Sequence, residues 1–255
     1  IALCSPLNPT GTVFRKENLE ESCEMVVREN EQRRKVSRKP VYIMFDQIYW
    51  TLTYGETKHY DPVSICPAIE PYCIYIDGIS KAFCATGVRV GWAFGPQHII
   101  NKMASILTHI GAWAPKAEQV ATAHYLQHVD AIDDFQTELK ELVSKRLNAF
   151  YQGIMRLKQA GHAVDAIAPQ AAIYLTVQFD LVGRETPCGV LKCTADVTAF
   201  LLNQAGLAIV PFSAFGAPAH STWYRLSVGT SVYEEIEELF QRLETALDLL
   251  KPLQN

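Results

Sequence analysis

Two apolar runs constrain this chain more than anything else in it. Val41-Tyr42-Ile43-Met44-Phe45 closes on Asp46, and Tyr72-Cys73-Ile74-Tyr75-Ile76 closes on Asp77. Near-continuous apolarity, rather than alternation, is the pattern of strands covered on both faces, as in a parallel sheet flanked by helices. Val88 to Phe94 is a third such run, and Ile1 to Cys4 opens the chain as another. Between them, from Asn18 to about Arg34, Leu19, Cys23, Val26 and Val27 recur at helical spacing. Helices are also expected at about residues 96–107 and 115–127. A long amphipathic one is expected at about 132–160, striped by Leu139, Leu142, Leu147, Phe150, Ile154 and Leu157.

The texture changes after Gly161. A strand at 173–177, a helix at 195–205, short strands at 207–210 and 224–228 and a closing helix at 232–250 describe a smaller α+β domain. The expected fold is α/β: a mostly parallel sheet in a large domain over 1–145, ending in the long linking helix, then a small α+β domain over 146–255. The opening residues read as an inner strand with no initiator Met. The large domain is therefore expected to be incomplete in these 255 residues.

Charge and cysteine usage exclude several classes. Lys and Arg number 23 against 27 Asp and Glu, so no bulk basic surface favours nucleic acid or anionic lipid. The basic cluster Arg33, Arg34, Lys35, Arg38 and Lys39 sits at a helix end, where cations suit the dipole. No apolar run approaches the roughly 18–20 residues of a membrane span. The cysteines, at 4, 23, 66, 73, 84, 188 and 193, form no CxxC pair and are odd in number, so buried free thiols in a reducing cytoplasm are expected. His124 and His128 stand at i, i+4 on an expected helix but lack the adjacent acid of a zinc protease; no metal site is expected.

GxGxxG, Walker A and GxSxG motifs are absent. What remains is a set of polar residues at strand ends, where ligands gather in open α/β sheets. Asp46 closes one strand, with Tyr49 one helical turn further on. Lys81 follows another in Asp77-Gly78-Ile79-Ser80-Lys81, placed to serve as an amine nucleophile. Arg89 lies in Thr86-Gly87-Val88-Arg89-Val90-Gly91. Arg225 sits in Tyr224-Arg225-Leu226-Ser227, an apolar strand where a cation needs an anionic partner. The turn Ser5-Pro6-Leu7-Asn8-Pro9-Thr10-Gly11 is dense in residues that fix a tight loop.

Asn8-Pro9-Thr10-Gly11, Asp46-Gln47-Ile48-Tyr49, Ser80-Lys81 with Thr86 to Gly91, and Tyr224 to Ser227 together resemble the pyridoxal-phosphate-dependent class I/II aminotransferases, the aspartate aminotransferase fold or fold type I. The motifs span most of the chain in the family's order. The resemblance implies a cytoplasmic, homodimeric enzyme of amino acid metabolism. It would move an amino group between an amino acid and a 2-oxo acid through a pyridoxal 5'-phosphate Schiff base on Lys81. It implies Asp46 on the pyridine nitrogen, Tyr49 and Asn8 on the phenolic oxygen, and Arg89 and Ser80 on the phosphate. It implies Asn8 and Arg225 on the substrate, with Arg225 gripping the α-carboxylate through two parallel hydrogen bonds.

Gly78 stands where many members carry a hydroxyl, and Phe212 where glycine is common. The resemblance also implies an absent amino-terminal part of roughly 150–200 residues, which would leave the 255-residue chain alone without part of its pocket. A lyase or decarboxylase of the same fold would share these motifs, as would the ligand-sensing domain of a transcription regulator. His109 and Trp113 are candidates for a subunit boundary, with ordinary loop packing as the alternative.

Overall fold

The structure, a computed structural model, describes residues 1–187 and 189–251; Cys188 lies outside the described residues. The chain divides into two compact units. One comprises Ile1–Leu7 with Thr12–Lys140. The other comprises Asn8–Gly11 with the chain from Glu141 onward.

In the first unit β1 (Ala2–Cys4), β2 (Ile43–Asp46), β3 (Cys73–Gly78) and β4 (Gly91–Phe94) form a sheet in the order β1-β2-β3-β4. The first three run parallel and β4 is antiparallel to β3. The crossover from β1 to β2 is α1 (Lys16–Lys35). Its apolar stripe, Leu19, Cys23 and Val26, packs with Ile43, Phe45, Ile69, Cys73 and Tyr75 as the core. Between β2 and β3 lie α2 (Pro62–Ile65), capped by the Asp61 carboxylate on the Ser64 N–H at 2.7 Å, and a 3-10 turn over Pro67–Tyr72. The register sets Asp46 beside Ile76 and Gly78 beside Gly91.

Within the described residues, helix α1 covers one face of this sheet. Ile43 and Phe45 are buried beneath α1, while Met44, between them, is 46% exposed. Ile74, Ile76 and Ala93 on that second face are half-buried. This second face is apolar too, which is why the runs are near-continuous rather than alternating. After β4 come α4 (Gln97–Ile110), ended by Gly111 in the left-handed region, and α5 (Lys116–Tyr125). α4 is amphipathic yet has no buried residue, and Ile106, Ile110, Trp113 and Val120 stand exposed along α4, α5 and their link.

α6 (Val129–Gln159) spans the division between the units. In the second unit, β5 (Val164–Ala166), β6 (Tyr174–Phe179), β9 (Val210–Pro211) and β10 (Trp223–Ser227) form an antiparallel sheet ordered β5-β6-β10-β9. β7 (Glu185–Thr186) and β8 (Gly189–Val190) make a small separate hairpin. α7 (Thr194–Ala205) and α8 (Ile236–Asp248) complete this unit. The rings of Phe150 on α6 and Phe240 on α8 meet at 5.8 Å, and Gly153 makes room for the Phe240 ring. The expected closing helix begins instead as a 3-10 turn over Tyr233–Glu235, and residues 207–209 precede β9 rather than forming a strand.

Cys23, Cys66 and Cys73 are buried free thiols, and burial pushes Cys23 and Cys73 up to about 12. Cys84 and Cys193 are exposed, contrary to the expectation for the set. Among the described residues, no helix is long and apolar enough to cross a membrane.

Candidate active site

Asp46 ends β2 and the chain turns at once. The Asp46 carboxylate accepts the Ile48 N–H at 3.1 Å, and the Gln47 N–H donates to the Ile76 carbonyl at 3.0 Å. The Trp50 N–H then closes on the Gln47 carbonyl at 2.8 Å. Tyr49 is thus delivered by a tight turn locked to β3, not by the helical turn expected from its spacing, and its side chain is buried. This difference arises because Asp46 supplies an acceptor two residues ahead, the local bond that favours turns over helix.

β3 leads into the short helix α3 (Ile79–Ala82), which carries Ser80 and Lys81. Gly78 has no room for a larger side chain: a Cβ there would come within 2.9 Å of both the Gly91 Cα and the Val90 carbonyl oxygen. That close passage of β3 against β4 sets where α3 begins. Lys81 is half-buried, with Nζ 6.0 Å from the centroid of the Tyr49 ring. The Thr86 hydroxyl donates to the Ser80 carbonyl at 2.9 Å, and Arg89 Nη1 donates to the Thr86 carbonyl at 2.7 Å. Arg89 is not in a strand, as the sequence suggested. It follows a 3-10 turn over Thr86–Val88 in the left-handed region (φ 62°), an uncommon backbone for a long side chain. Its guanidinium is exposed.

Asp77, the last polar residue of β3, is 8% exposed. Its carboxylate accepts from the Gly78 N–H at 2.7 Å, from Gln47 Nε2 at 3.4 Å and from the Trp50 side chain. Burial raises its proton affinity above the ordinary carboxylate value, and these donors and the nearby Asp46 modify the effect. A cavity of about 780 Å³ is lined by Asp77, Arg89 and Trp92 together with Met103, Trp113 and other residues of α4, α5 and their link; Lys81 is not on its wall.

In the second unit, Asn8–Gly11 lies against β6. The Ala171 N–H donates to the Gly11 carbonyl at 2.9 Å and the Thr176 hydroxyl to the Thr10 carbonyl at 2.8 Å. Gly11 (φ 69°) cannot be replaced cheaply, since a Cβ would run into the Tyr174 carbonyl oxygen. Arg225 Nη1 donates to Asn8 Oδ1 at 2.9 Å.

Arg225 was expected inside an apolar strand. Its β10 neighbours Tyr224 and Leu226 do fill the core, but alternation turns Arg225 to the other face, where it is half-buried. There the guanidinium carbon lies 4.8 Å from the ring centroids of both Tyr174 and Phe215. Arg225 Nε is buried and has no hydrogen-bond partner among the described residues. Phe212 meets the Phe215 ring edge-on at 6.4 Å.

The structure thus brings Lys81 to Tyr49, ties Ser80 to Arg89 through Thr86, and pairs Arg225 with Asn8. Asp77, which is bonded to the 46–50 turn, was not among the expected site residues, although it closes an apolar run just as Asp46 does. Nor was Tyr174, which lies diagonally across the β6–β10 register from Arg225. His124 and His128 do not share a helix: α5 ends at Tyr125 and α6 starts at Val129, with the two rings 5.1 Å apart. Among the described residues, no group of three or more His, Cys, Asp or Glu could hold a metal.

The sequence pattern of the family described as aminotransferase class I and II matches residues 1–243. The chain belongs to that family. It is 28% identical over 244 residues to an aspartate aminotransferase of Bacillus sp. (strain YM-2), covering 96% of this chain and 56% of that protein. It is 30% identical over 242 residues to a probable aspartate/prephenate aminotransferase of Rhizobium leguminosarum bv. phaseoli, covering 94% and 56%. Among solved structures, the aspartate aminotransferase from Rhizobium meliloti superposes with a TM-score of 0.82 at 28% identity, covering 98% of this chain and 58% of that one. The aromatic aminotransferase from Pyrococcus horikoshii OT3 gives 0.79 at 25% identity, covering 97% and 59%. The chain therefore spans about half the length of the curated relatives it matches. The fold is that of the aspartate aminotransferases, and the family is one of transferases that generally depend on pyridoxal phosphate.

Proposed function

We propose that this protein is a cytoplasmic, homodimeric aminotransferase that exchanges the amino group of an amino acid for the oxo group of a 2-oxo acid, with pyridoxal 5'-phosphate as cofactor. We assign the first unit to cofactor binding as part of a large domain, and the second to the small domain that holds substrate. The donor set fits the group: an amine, a carboxylate, a phenol and a guanidinium complement an aldehyde, a pyridine nitrogen, a phenolic oxygen and a phosphate. When bound, the cofactor supplies an electron-accepting ring that stabilises negative charge at the substrate Cα.

The chain's own residues do the rest. Lys81 is the amine that would hold the cofactor at its aldehyde and, when free, would move a proton at the substrate Cα. Asp46 keeps a proton on the ring nitrogen, and Tyr49 and Asn8 hydrogen-bond the phenolic oxygen. Ser80 and Arg89 hold the phosphate. Asn8 and Arg225 receive the substrate, with the Arg225 guanidinium taking its α-carboxylate. The exposed apolar face of α4 and α5, with His109 and Trp113, is assigned to the contact with the second copy.

The observation that carries this reading is the Lys81 amine 6.0 Å from the ring of Tyr49, in a turn that begins at Asp46. The test is borohydride reduction of the chain with pyridoxal phosphate, followed by peptide mapping. The pyridoxyl group is expected on Lys81, and a label confined to other lysines would overturn the assignment. Amino-donor assays with paired 2-oxo acids separate transamination from elimination or decarboxylation.

A further inference from the structure

We propose that Asp77 is a positioning residue that holds the 46–50 turn, and through it Asp46 and Tyr49, in register with the strand leading to Lys81; this rests on the function proposed above.

The turn after β2 and the segment after β3 carry different halves of the site, and nothing covalent aligns them. Two kinds of contact do. One is the backbone bond from the Gln47 N–H to the Ile76 carbonyl, 3.0 Å long, at the sheet edge. The other is Asp77. One of its oxygens is held by the Gly78 N–H at 2.7 Å, which fixes it to the start of α3. The other receives Gln47 Nε2 at 3.4 Å, and the Trp50 side chain donates to the same carboxylate. Gln47 and Trp50 bracket Tyr49, so two of the five turn residues are anchored on one buried carboxylate.

A carboxylate 8% exposed is costly to retain without donors, and only an acceptor with two oxygens can serve Gly78, Gln47 and Trp50 together. Asparagine keeps the size but offers one acceptor oxygen. Its amide nitrogen would face donors rather than acceptors. Asp77→Asn should therefore loosen the turn while sparing the core beneath it, which is built from Ile43, Phe45, Cys73 and Tyr75.

The test uses Asp77→Asn, Asp46→Asn and the double variant of the chain. Hydrogen exchange, read without cofactor, should show the Trp50 and Leu52 amides losing protection about tenfold, with the amides of β3 unchanged. With pyridoxal phosphate added, the pH midpoint of the bound chromophore should move by roughly half a unit or more in Asp77→Asn. It should move by much less when Asp77→Asn is made in the Asp46→Asn background, because an effect transmitted through Asp46 does not add to its loss. Wild-type exchange at the turn would overturn the proposal. A shift of equal size in both backgrounds would overturn it too, since Asp77 would then act by its own charge. If the wild-type chain takes no label at Lys81, the proposed function fails, while the exchange arm still decides whether Asp77 holds the turn.

Discussion

Replacing Arg225 with lysine keeps the charge and removes the shape, which isolates what the guanidinium contributes. Nη1 is committed to Asn8 at 2.9 Å. Nε is buried without a partner among the described residues, and the planar guanidinium can meet the two oxygens of a carboxylate in parallel. Two rings lie against it, those of Tyr174 and Phe215, each with its centroid 4.8 Å from the guanidinium carbon. A lysine ammonium retains part of the ring attraction, worth about 0.5–1 kcal/mol per contact at partly exposed sites. It cannot serve Asn8 and both carboxylate oxygens at once. The loss is one charge-assisted hydrogen bond, about 1.5–3 kcal/mol, or roughly ten- to a hundredfold in half-saturation. The assay is titration of the protein, loaded with pyridoxal phosphate, with aspartate, alanine and phenylalanine, followed by the absorbance of the bound chromophore. All three half-saturation concentrations should rise by a similar factor, because the α-carboxylate is common to them. Amines lacking a carboxylate should be unaffected. Unchanged half-saturation for every α-amino acid, or an equal change for the plain amines, would refute the role of Arg225.

Two further outcomes concern stability. Burial lowers the proton affinity of His59 below the ordinary imidazole value, against a smaller opposing pull from Asp61, and its Nδ1 is buried without a partner among the described residues. The folded state thus binds this proton less readily than the unfolded chain. Stability should be fully present above about pH 6.5 and fall as the pH drops below it, by at most about 1.4 kcal/mol per pH unit for one proton; urea titrations at pH 7.5 and 5.5 should differ in wild type and converge in His59→Leu. Gly153→Ala would ordinarily gain about 1 kcal/mol of helix propensity, but the new Cβ would overlap the Phe240 ring. The variant should instead lose a net of about 1–2 kcal/mol to overpacking, read as a lower urea midpoint. A raised midpoint would show that Phe240 yields freely.

The strand ends were the most legible part of the site. Asp46 and Lys81 stand where apolar runs stop, and a run of that kind reports a buried strand whichever neighbour covers it. Arg225 was legible as a cation in an apolar strand, but not its direction, because alternation within β10 depends on which face of the sheet meets the core. Tyr49 was placed by spacing on a helix that Asp46 prevents by capping its own turn. The strand expected from Val88 begins only at Gly91, since Arg89 adopts a left-handed backbone that no apolar count reveals. Asp77 was hidden for a different reason. A carboxylate sequestered from water is improbable on composition alone, and its donors, Gln47 and Trp50, come from 30 and 27 residues earlier in the chain.

Asn8–Gly11 has a consequence for any attempt to dissect this protein. These four residues precede almost the whole first unit in the chain, yet they belong to the second. No single cut can therefore release the second unit intact. A piece beginning at Glu141 would keep both sheet strands that frame Arg225, but the Thr176 hydroxyl, in a residue 2% exposed, would lose the Thr10 carbonyl it donates to. The seat shaped for Gly11 beside Tyr174 would stand empty, and Arg225 would lose Asn8. The Asn8–Arg225 pair is in this sense a product of two remote stretches of one polypeptide, inherited together or not at all.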